Sequence, residues 1–217
     1  MNEKHKNVAN FDEEDLARKR FDGYPTGKFL KLMQSEWKTP DYTSFFIWRD
    51  DPIDEYGGFV VGCVDIDCIR NTYLPDALNR EYLIHISSIG ITNDFRGCGF
   101  LAYVCSRIID WADEAGVFVY GHARGFEYPI PLMHDAEEAS SWLENRHQVS
   151  PHILGMKKDF AQSRKLHQKY VEYGFKRFDG AGVRFENRKW KKLCFGHFGE
   201  SCDNERVRDF AQRHLKS

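Results

Sequence analysis

The chain has 217 residues, a formal net charge of −2, and a composition that is 41% hydrophobic and 15% aromatic. That is enough apolar material for one packed domain, and it excludes a chain disordered throughout. No apolar run reaches the about 20 residues that span a bilayer, and the polar start MNEKHKNVANFDEEDLARKR lacks the apolar stretch of a secretory signal. The expectation is a soluble, cytoplasmic protein with no membrane partner.

The six cysteines form no CxxC pair, and the nine histidines form no HExxH, so no metal site is expected. Without a secretion signal the cysteines read as free thiols. Between Met156 and Phe198, twelve lysines and arginines face only four acids. A solvated basic face is the favoured reading of that run, and an anionic partner the other.

In chain order, residues 1–10 read as a tail, and Asp12 to Arg20 as a short helix with its acid and base at the ends a helix dipole favours. Gly23, Pro25 and Gly27 break the chain. Phe29 to Trp37 is a helix or a strand; its periodicity fits both. Thr43 to Trp48 and Gly58 to Ile66 are rich in β-branched and aromatic residues, and the acidic turn between them makes an antiparallel hairpin. Tyr82 to Thr92 is a third strand. Gly99 to Ala115 is a helix with Leu101, Val104, Cys105, Ile108, Ile109 and Ala112 inward and Gly116 as its cap. Val117 to Gly121 is a short buried strand. Asp135 to His147 and Ala161 to Tyr173 are helices, the second stopped by Gly174. Two or three closing strands follow through Phe198. Asp203 to Leu215 is a terminal helix with Val207, Phe210, Ala211 and Leu215 on its apolar face. This order gives an α/β (α+β) fold, a sheet with helices on its faces.

Two segments carry chemistry. In SSIGITNDFRGCGFLAYVCSRIIDWA, a strand runs through Ile89 and Ile91 into Arg96-Gly97-Cys98-Gly99 and then a helix. Glycines let a ligand approach the main chain, and the helix start offers unpaired N–H groups and a positive dipole end, a cradle for pyrophosphate. It is neither a Walker loop nor a dinucleotide fingerprint. About seventy residues on, SRKLHQKYVEYGFKRF is an amphipathic helix ended by Gly174-Phe175. Each alone has a plain structural reading, a glycine turn and a capped core helix.

Together, in this order, they resemble the GNAT superfamily of N-acetyltransferases. Residues 89–99 resemble its acyl-CoA signature, and Tyr170-x-x-x-Gly174-Phe175 its second hallmark, over roughly Gly58 to Phe198. The family loop is usually Gln/Arg-x-x-Gly-x-Gly/Ala. A start at Arg96 leaves Leu101 where a small residue is expected, and a start at Asp94 puts an acid in the basic place. Ser163 stands where the family often has an asparagine.

The resemblance implies a mixed, mostly antiparallel sheet whose central strands, around Ile91 and Val117, splay apart, with acetyl-CoA as cosubstrate in the gap. Ile89, Gly90 and Ile91 would hold the pantetheine arm by their main chain, as an added strand does. The amides of Arg96, Gly97, Cys98, Gly99, Phe100, Leu101 and Ala102 would hold the pyrophosphate, with Ser163 and Lys165 as further cofactor contacts. The domain is 1–217, with 1–40 as an N-terminal extension, 124–158 as an insert near the acceptor site, and 199–217 as a C-terminal helix.

Direct transfer from the thioester needs a base for the amine and an acid for the leaving thiolate. Tyr170 is the acid that the resemblance implies. Strand alternation sets Glu81, Leu83, His85 and Ser87 on one face. The family often has a carboxylate on this strand; Leu83 takes the place that would suit it best, which leaves His85 or Glu81 as base, with His122 on the next strand as another candidate. The acceptor is an amine on a small molecule, a protein or aminoacyl-tRNA; nucleic acid is open but not favoured at a pI of about 6.5, and a homodimer is left open. From another class, the chain could bind acyl-CoA without turnover, as a sensor or interaction module.

Overall fold

The computed structural model describes residues 25–39, 43–50, 57–67, 83–124, 132–146, 160–179 and 191–216. The helix expected over Asp12 to Arg20, and the candidate base Glu81, lie outside them.

The first element that the sequence left open is a helix, α1 (Pro25–Glu36). Proline opens it, where a missing N–H costs nothing. Phe29, Leu30, Met33 and Trp37 fall on one stripe, and all are buried. Then come β1 (Ser44–Asp50), β2 (Gly58–Asp67), β3 (Leu83–Ile91), α2 (Phe100–Ala115) and β4 (Phe118–His122). The chain continues through α3 (Ala136–Arg146), α4 (Phe160–Glu172), β5 (Lys176–Phe178), β6 (Cys194–Phe198), α5 (Glu205–His214) and β7 (Leu215–Lys216).

The strands form one seven-stranded sheet in the order β1-β2-β3-β4-β6-β5-β7. The hairpin of β1 and β2 is antiparallel, as its turn requires. Only β3 and β4 run parallel, joined by the crossover helix α2. The fold is thus mixed α/β with a mostly antiparallel sheet.

Side-chain alternation divides the core between the two sheet faces. Val117 and Val119 join Ile84 and Ile86 in the main cluster, with residues of α1, α2 and Tyr170 of α4. Phe118 and Tyr120, one step out of phase, pack on Val207, Phe210 and Ala211 of α5. Phe46, Val60 and Cys63, also away from the main cluster, receive Met133 and Ala139 of the α3 region. Each fully buried large side chain contributes about 1.5–3 kcal/mol of transfer free energy.

The inward stripe of α2 differs from the expected one. Leu101 and Ile109 are half-buried, whereas Trp111 is buried. Trp111 meets Trp37 edge-on at 4.7 Å and Phe29 at 6.4 Å, so α1, which periodicity could not assign, is what covers it. Arg107 donates from Nε to both oxygens of Glu36, at 3.0 and 2.9 Å, and locks the two helices together. Hydrogen bonding to Arg107 holds the Glu36 carboxyl below its usual range.

The end of the chain departs from expectation in the same way. Asn204 caps α5 through its side chain, accepting from the N–H of Val207 at 3.2 Å. Leu215, expected on the helical face, instead leaves the helix and pairs with Phe178 as edge strand β7. Among the described residues, no helix is long and apolar enough to cross a membrane.

Candidate functional site

Strands β3 and β4 share only four residue pairs, from Leu83↔Phe118 to Ile86↔Gly121. Beyond Ile86, β3 keeps its pairing with β2 but has no described strand on its other side. The β2 register passes from Ile66↔Ile86 to Asp65↔Ser88, which leaves Ser87 as an extra residue on β3. A bulge bends its strand and increases the twist, and this one falls where β3 leaves β4.

Past the bulge, the open edge is specific. The N–H of Thr92 bonds to the Val61 carbonyl of β2 at 3.0 Å. Alternation therefore turns the main-chain groups of Gly90 toward β2 and those of Ile89 and Ile91 toward the gap. Two contacts agree. A Cβ on Gly62 of β2 would stand 2.6 Å from the Gly90 oxygen, and Arg96 reaches from the loop to donate from Nε to the Ile91 carbonyl at 3.2 Å. Of the three residues expected to hold an arm by their main chain, Gly90 is occupied by β2, and Ile89 and Ile91 face the gap.

The loop that follows is anchored by aromatic rings. Phe95 stacks on Phe59 at 5.2 Å and meets Phe100 edge-on at 5.5 Å. The hydroxyl of fully buried Thr92 donates to the Val61 carbonyl. Gly97 and Gly99 then adopt φ of 82° and 85°, left-handed conformations that side chains resist. A Cβ at either would meet no atom within 4 Å, so these glycines serve backbone shape, and open space lies before them. Gly99 begins α2 with no side-chain cap, and the first helical bond runs from Tyr103 N–H to Gly99 O at 3.1 Å. The N–H groups of Phe100, Leu101 and Ala102 have no partner among the described residues, and α2 has no acid in its first turn. This is an anion cradle at the head of a helix of 16 residues.

Helix α4 brings Tyr170 to the point where the strands part. Its ring stacks on Phe195 of β6 with centroids 4.1 Å apart and meets Phe175 edge-on at 6.2 Å. Phe195 in turn lies against Gly121, the last β4 residue paired with β3. Tyr170 is 4% exposed, and burial, reinforced by Cys105, pushes its phenol far up. Burial pushes the Cys105 thiol up to about 12. Both groups are protonated at neutral pH.

Tyr170 lies near Cys105, and Gly174 sits against Ile109, so α4 and α2 run in the same direction. Ser163 is buried and Lys165 is exposed.

On the other sheet face, His85 lies 4.9 Å from the ring of Tyr120 and 6.1 Å from that of His122, with the two imidazole planes nearly parallel at 12°. Desolvation lowers the pKa of His85, against a smaller opposing pull from Asp67. His122 is pushed down to about 3 by burial first, then by Arg124 and His85. Both rings are neutral at pH 7, and His122, held at about 3, is the weaker base of the two. Sequence reading weighed each histidine separately; the parallel register that stacks them had no signal in the sequence.

In the 124–158 segment, Met133 accepts from the Val60 N–H at 2.8 Å, and Ala139 is buried beside it. This segment covers β1 and β2 on the sheet face that also carries His85. Among the described residues, no group of three or more His, Cys, Asp or Glu could hold a metal ion.

No family model matches the chain. No curated protein matches it either. Among solved structures it is similar to an acetoin utilization protein from Exiguobacterium sibiricum 255-15, at 14% identity and a TM-score of 0.40, covering 80% of this chain and 69% of that one.

Proposed function

We propose that the protein is a GNAT-type N-acetyltransferase that moves an acetyl group from acetyl-CoA to a primary amine in a ternary complex. The observation that carries this reading is the parting of β3 from β4 at the Ser87 bulge, with an uncapped helix start on the same strand's loop. A strand-like arm fits the main-chain groups of Ile89 and the N–H of Ile91, which face the gap, the Ile91 carbonyl already accepting from Arg96. A pyrophosphate fits the amides of Phe100, Leu101 and Ala102. Lys165, exposed on α4, is suited to a further phosphate.

Acetyl-CoA supplies the activated acyl group as a thioester. The chain's residues then handle protons on the two sheet faces. His85 takes the proton from the acceptor's attacking amine; His122 beside it, held at about 3, is too weak a base for that step. Tyr170, which burial keeps protonated, donates to the departing thiolate as the C–N bond replaces the C–S bond. The arrangement admits cofactor from the α2 side and amine from the opposite face. The protein works in the cytoplasm, where free thiols such as exposed Cys98 stay reduced.

A second reading is an acyl-CoA sensor without turnover, favoured by the depth of Tyr170, whose ring packs as a core residue does. Calorimetric titration with coenzyme A, followed by a thiol-release assay across small amines, peptides and aminoacyl-tRNA, separates the two. Binding with release supports the enzyme; binding without release on any acceptor supports the sensor; no binding overturns both.

A further inference from the structure

Away from the parted strands, a cleft of about 670 Å³ opens between α4, β5 and the residues that lead into β6. Phe160, Arg164, His167 and Gln168 of α4 line one side; Arg177, Lys192 and Leu193 line the other. It shares no lining residue with α2 or the glycine turn. Arg164, Arg177 and Lys192 have no carboxylate partner among the described residues. The acids on the same elements are engaged elsewhere: Glu172 accepts from Lys169 at 2.7 Å, and Asp179 holds His214 at 2.9 Å. His167 is fixed by its Nε2, 2.9 Å from the Cys194 carbonyl. Three cations around one cleft with no counter-charge among the described residues fit an anionic ligand.

Each lining cation has a lysine next to it in the chain, Lys165, Lys176 and Lys191, of which Lys165 and Lys176 are exposed; Lys176 falls on the opposite face of β5 from Arg177. Within the cleft, the Arg164 guanidinium lies 5.4 Å from the centre of the Phe160 ring, a cation and an aromatic side by side where a base could stack.

We infer that this cleft binds the phosphodiester backbone of single-stranded nucleic acid. The inference is independent of acyl transfer, and its test contains no acyl donor. A fluorescein-labelled single-stranded RNA of about 12 nucleotides, within the usual site size for such grooves, is titrated with the full chain from about 50 to 200 mM salt. Binding should weaken with salt. Arg177→Gln and Lys192→Gln, both at exposed positions, should each weaken it and lower the slope of log K against log salt by about 0.7, with unchanged thermal midpoints. Absence of binding at the lowest salt, or equal binding by both variants, overturns the inference. So does a duplex of the same sequence that binds as tightly, since that reports bulk charge. Displacement by tripolyphosphate or coenzyme A at the RNA's own phosphate concentration overturns it too, and marks a small-anion site.

Discussion

Gly121 makes room for Phe195: a Cβ on Gly121 would stand 2.7 Å from the tip of that ring. The same Cβ would lie 3.2 Å from the Ile86 carbonyl, the last shared by β3 and β4. Phe195 is held from behind by Tyr170 and Phe175 and has little freedom to withdraw. Gly121→Ala should therefore act as an overpacking change and cost about 1–3 kcal/mol. For a chain of this size that lowers the thermal midpoint by about 2–4 °C per kcal/mol. Phe195→Leu shortens the ring, so the double variant should lose less than the sum of the two single losses. Strict additivity in urea unfolding would show that the two residues do not touch.

The lowered histidines set a pH dependence. His122 has an ordinary value near 6.5 when unfolded and about 3 when folded. The unfolded chain therefore takes up the proton first as pH falls. The stability from a neutral His122 is complete above pH 6.5 and drains away as pH drops toward 3, by on the order of 1 kcal/mol per pH unit within that window. His85 and His167 are lowered in the same sense. His122→Gln should lose stability less steeply than the parent between pH 6.5 and 4. Urea unfolding at pH 7, 5.5 and 4.5 measures this, and a difference between the two proteins that is flat with pH would refute the assignment.

How far the sequence reached differs by element. Strong periodicities placed α2, α4 and the β1–β2 hairpin to within a residue or two, because one face of each is buried and the pattern records it. The turn Arg96-Gly97-Cys98-Gly99 was legible because glycine at a strand–helix junction has few other uses. Four things were not legible. Trp111 is buried by α1, a helix whose own type the pattern left open. Leu215 pairs with Phe178 across the sheet edge, a long-range choice with no local mark. The Ser87 bulge, which sends β3 away from β4, depends on the β2 register, and no residue in SSIG announces it. Within the insert, Met133 and Ala139 pack on β1 and β2, a contact with no mark in the sequence.

That last point gives a direct test. Met133 is 2% exposed, sits with Phe46, Val60 and Cys63, and receives the Val60 N–H through its backbone. Met133→Ala keeps the backbone bond and removes the side chain, so it should cost about 2–5 kcal/mol, as a buried cavity does. Coenzyme A affinity should be unchanged, since the glycine turn holds its shape through Phe59, Phe95 and Phe100. Urea unfolding and calorimetry together check this. A stable Met133→Ala protein would return the segment to the surface.

The glycine turn separates backbone strain from charge. Gly99 has φ of 85° and no neighbour within reach of a Cβ. Gly99→Ala should cost about 1–2 kcal/mol through the left-handed backbone alone. Gly99→Glu bears the same strain, but its carboxylate at a helix start is favourable to the fold by about 0.3–1 kcal/mol. The glutamate variant should be no less stable than the alanine one, yet its charge would occupy the amides of Phe100 to Ala102. Coenzyme A should bind the alanine variant measurably and the glutamate variant hardly at all. Equal affinities in two folded variants would rule out the helix start as the phosphate site.

Tyr170→Phe tests whether the buried phenol works or only packs. Phenylalanine retains the ring that stacks on Phe195 and meets Phe175, so stability should change by about 1 kcal/mol or less, the scale of one hydrogen bond. Coenzyme A affinity should be nearly unchanged, because the cradle is on α2. If the hydroxyl protonates the leaving thiolate, turnover at saturating acetyl-CoA should fall by about 10²–10⁴-fold. Because burial raises this phenol's pKa, it stays protonated through the neutral range, and the parent's rate should show no basic limb from Tyr170 up to its ordinary value near 10. The internal control is Tyr173, half-buried at the end of α4, with Lys169 5.9 Å from its ring. Tyr173→Phe should keep full activity. Full activity in Tyr170→Phe would remove the proposed acid, and a loss confined to Tyr173→Phe would transfer the role to that residue. A fall in thermal midpoint with normal turnover per folded molecule would make Tyr170 a core residue only.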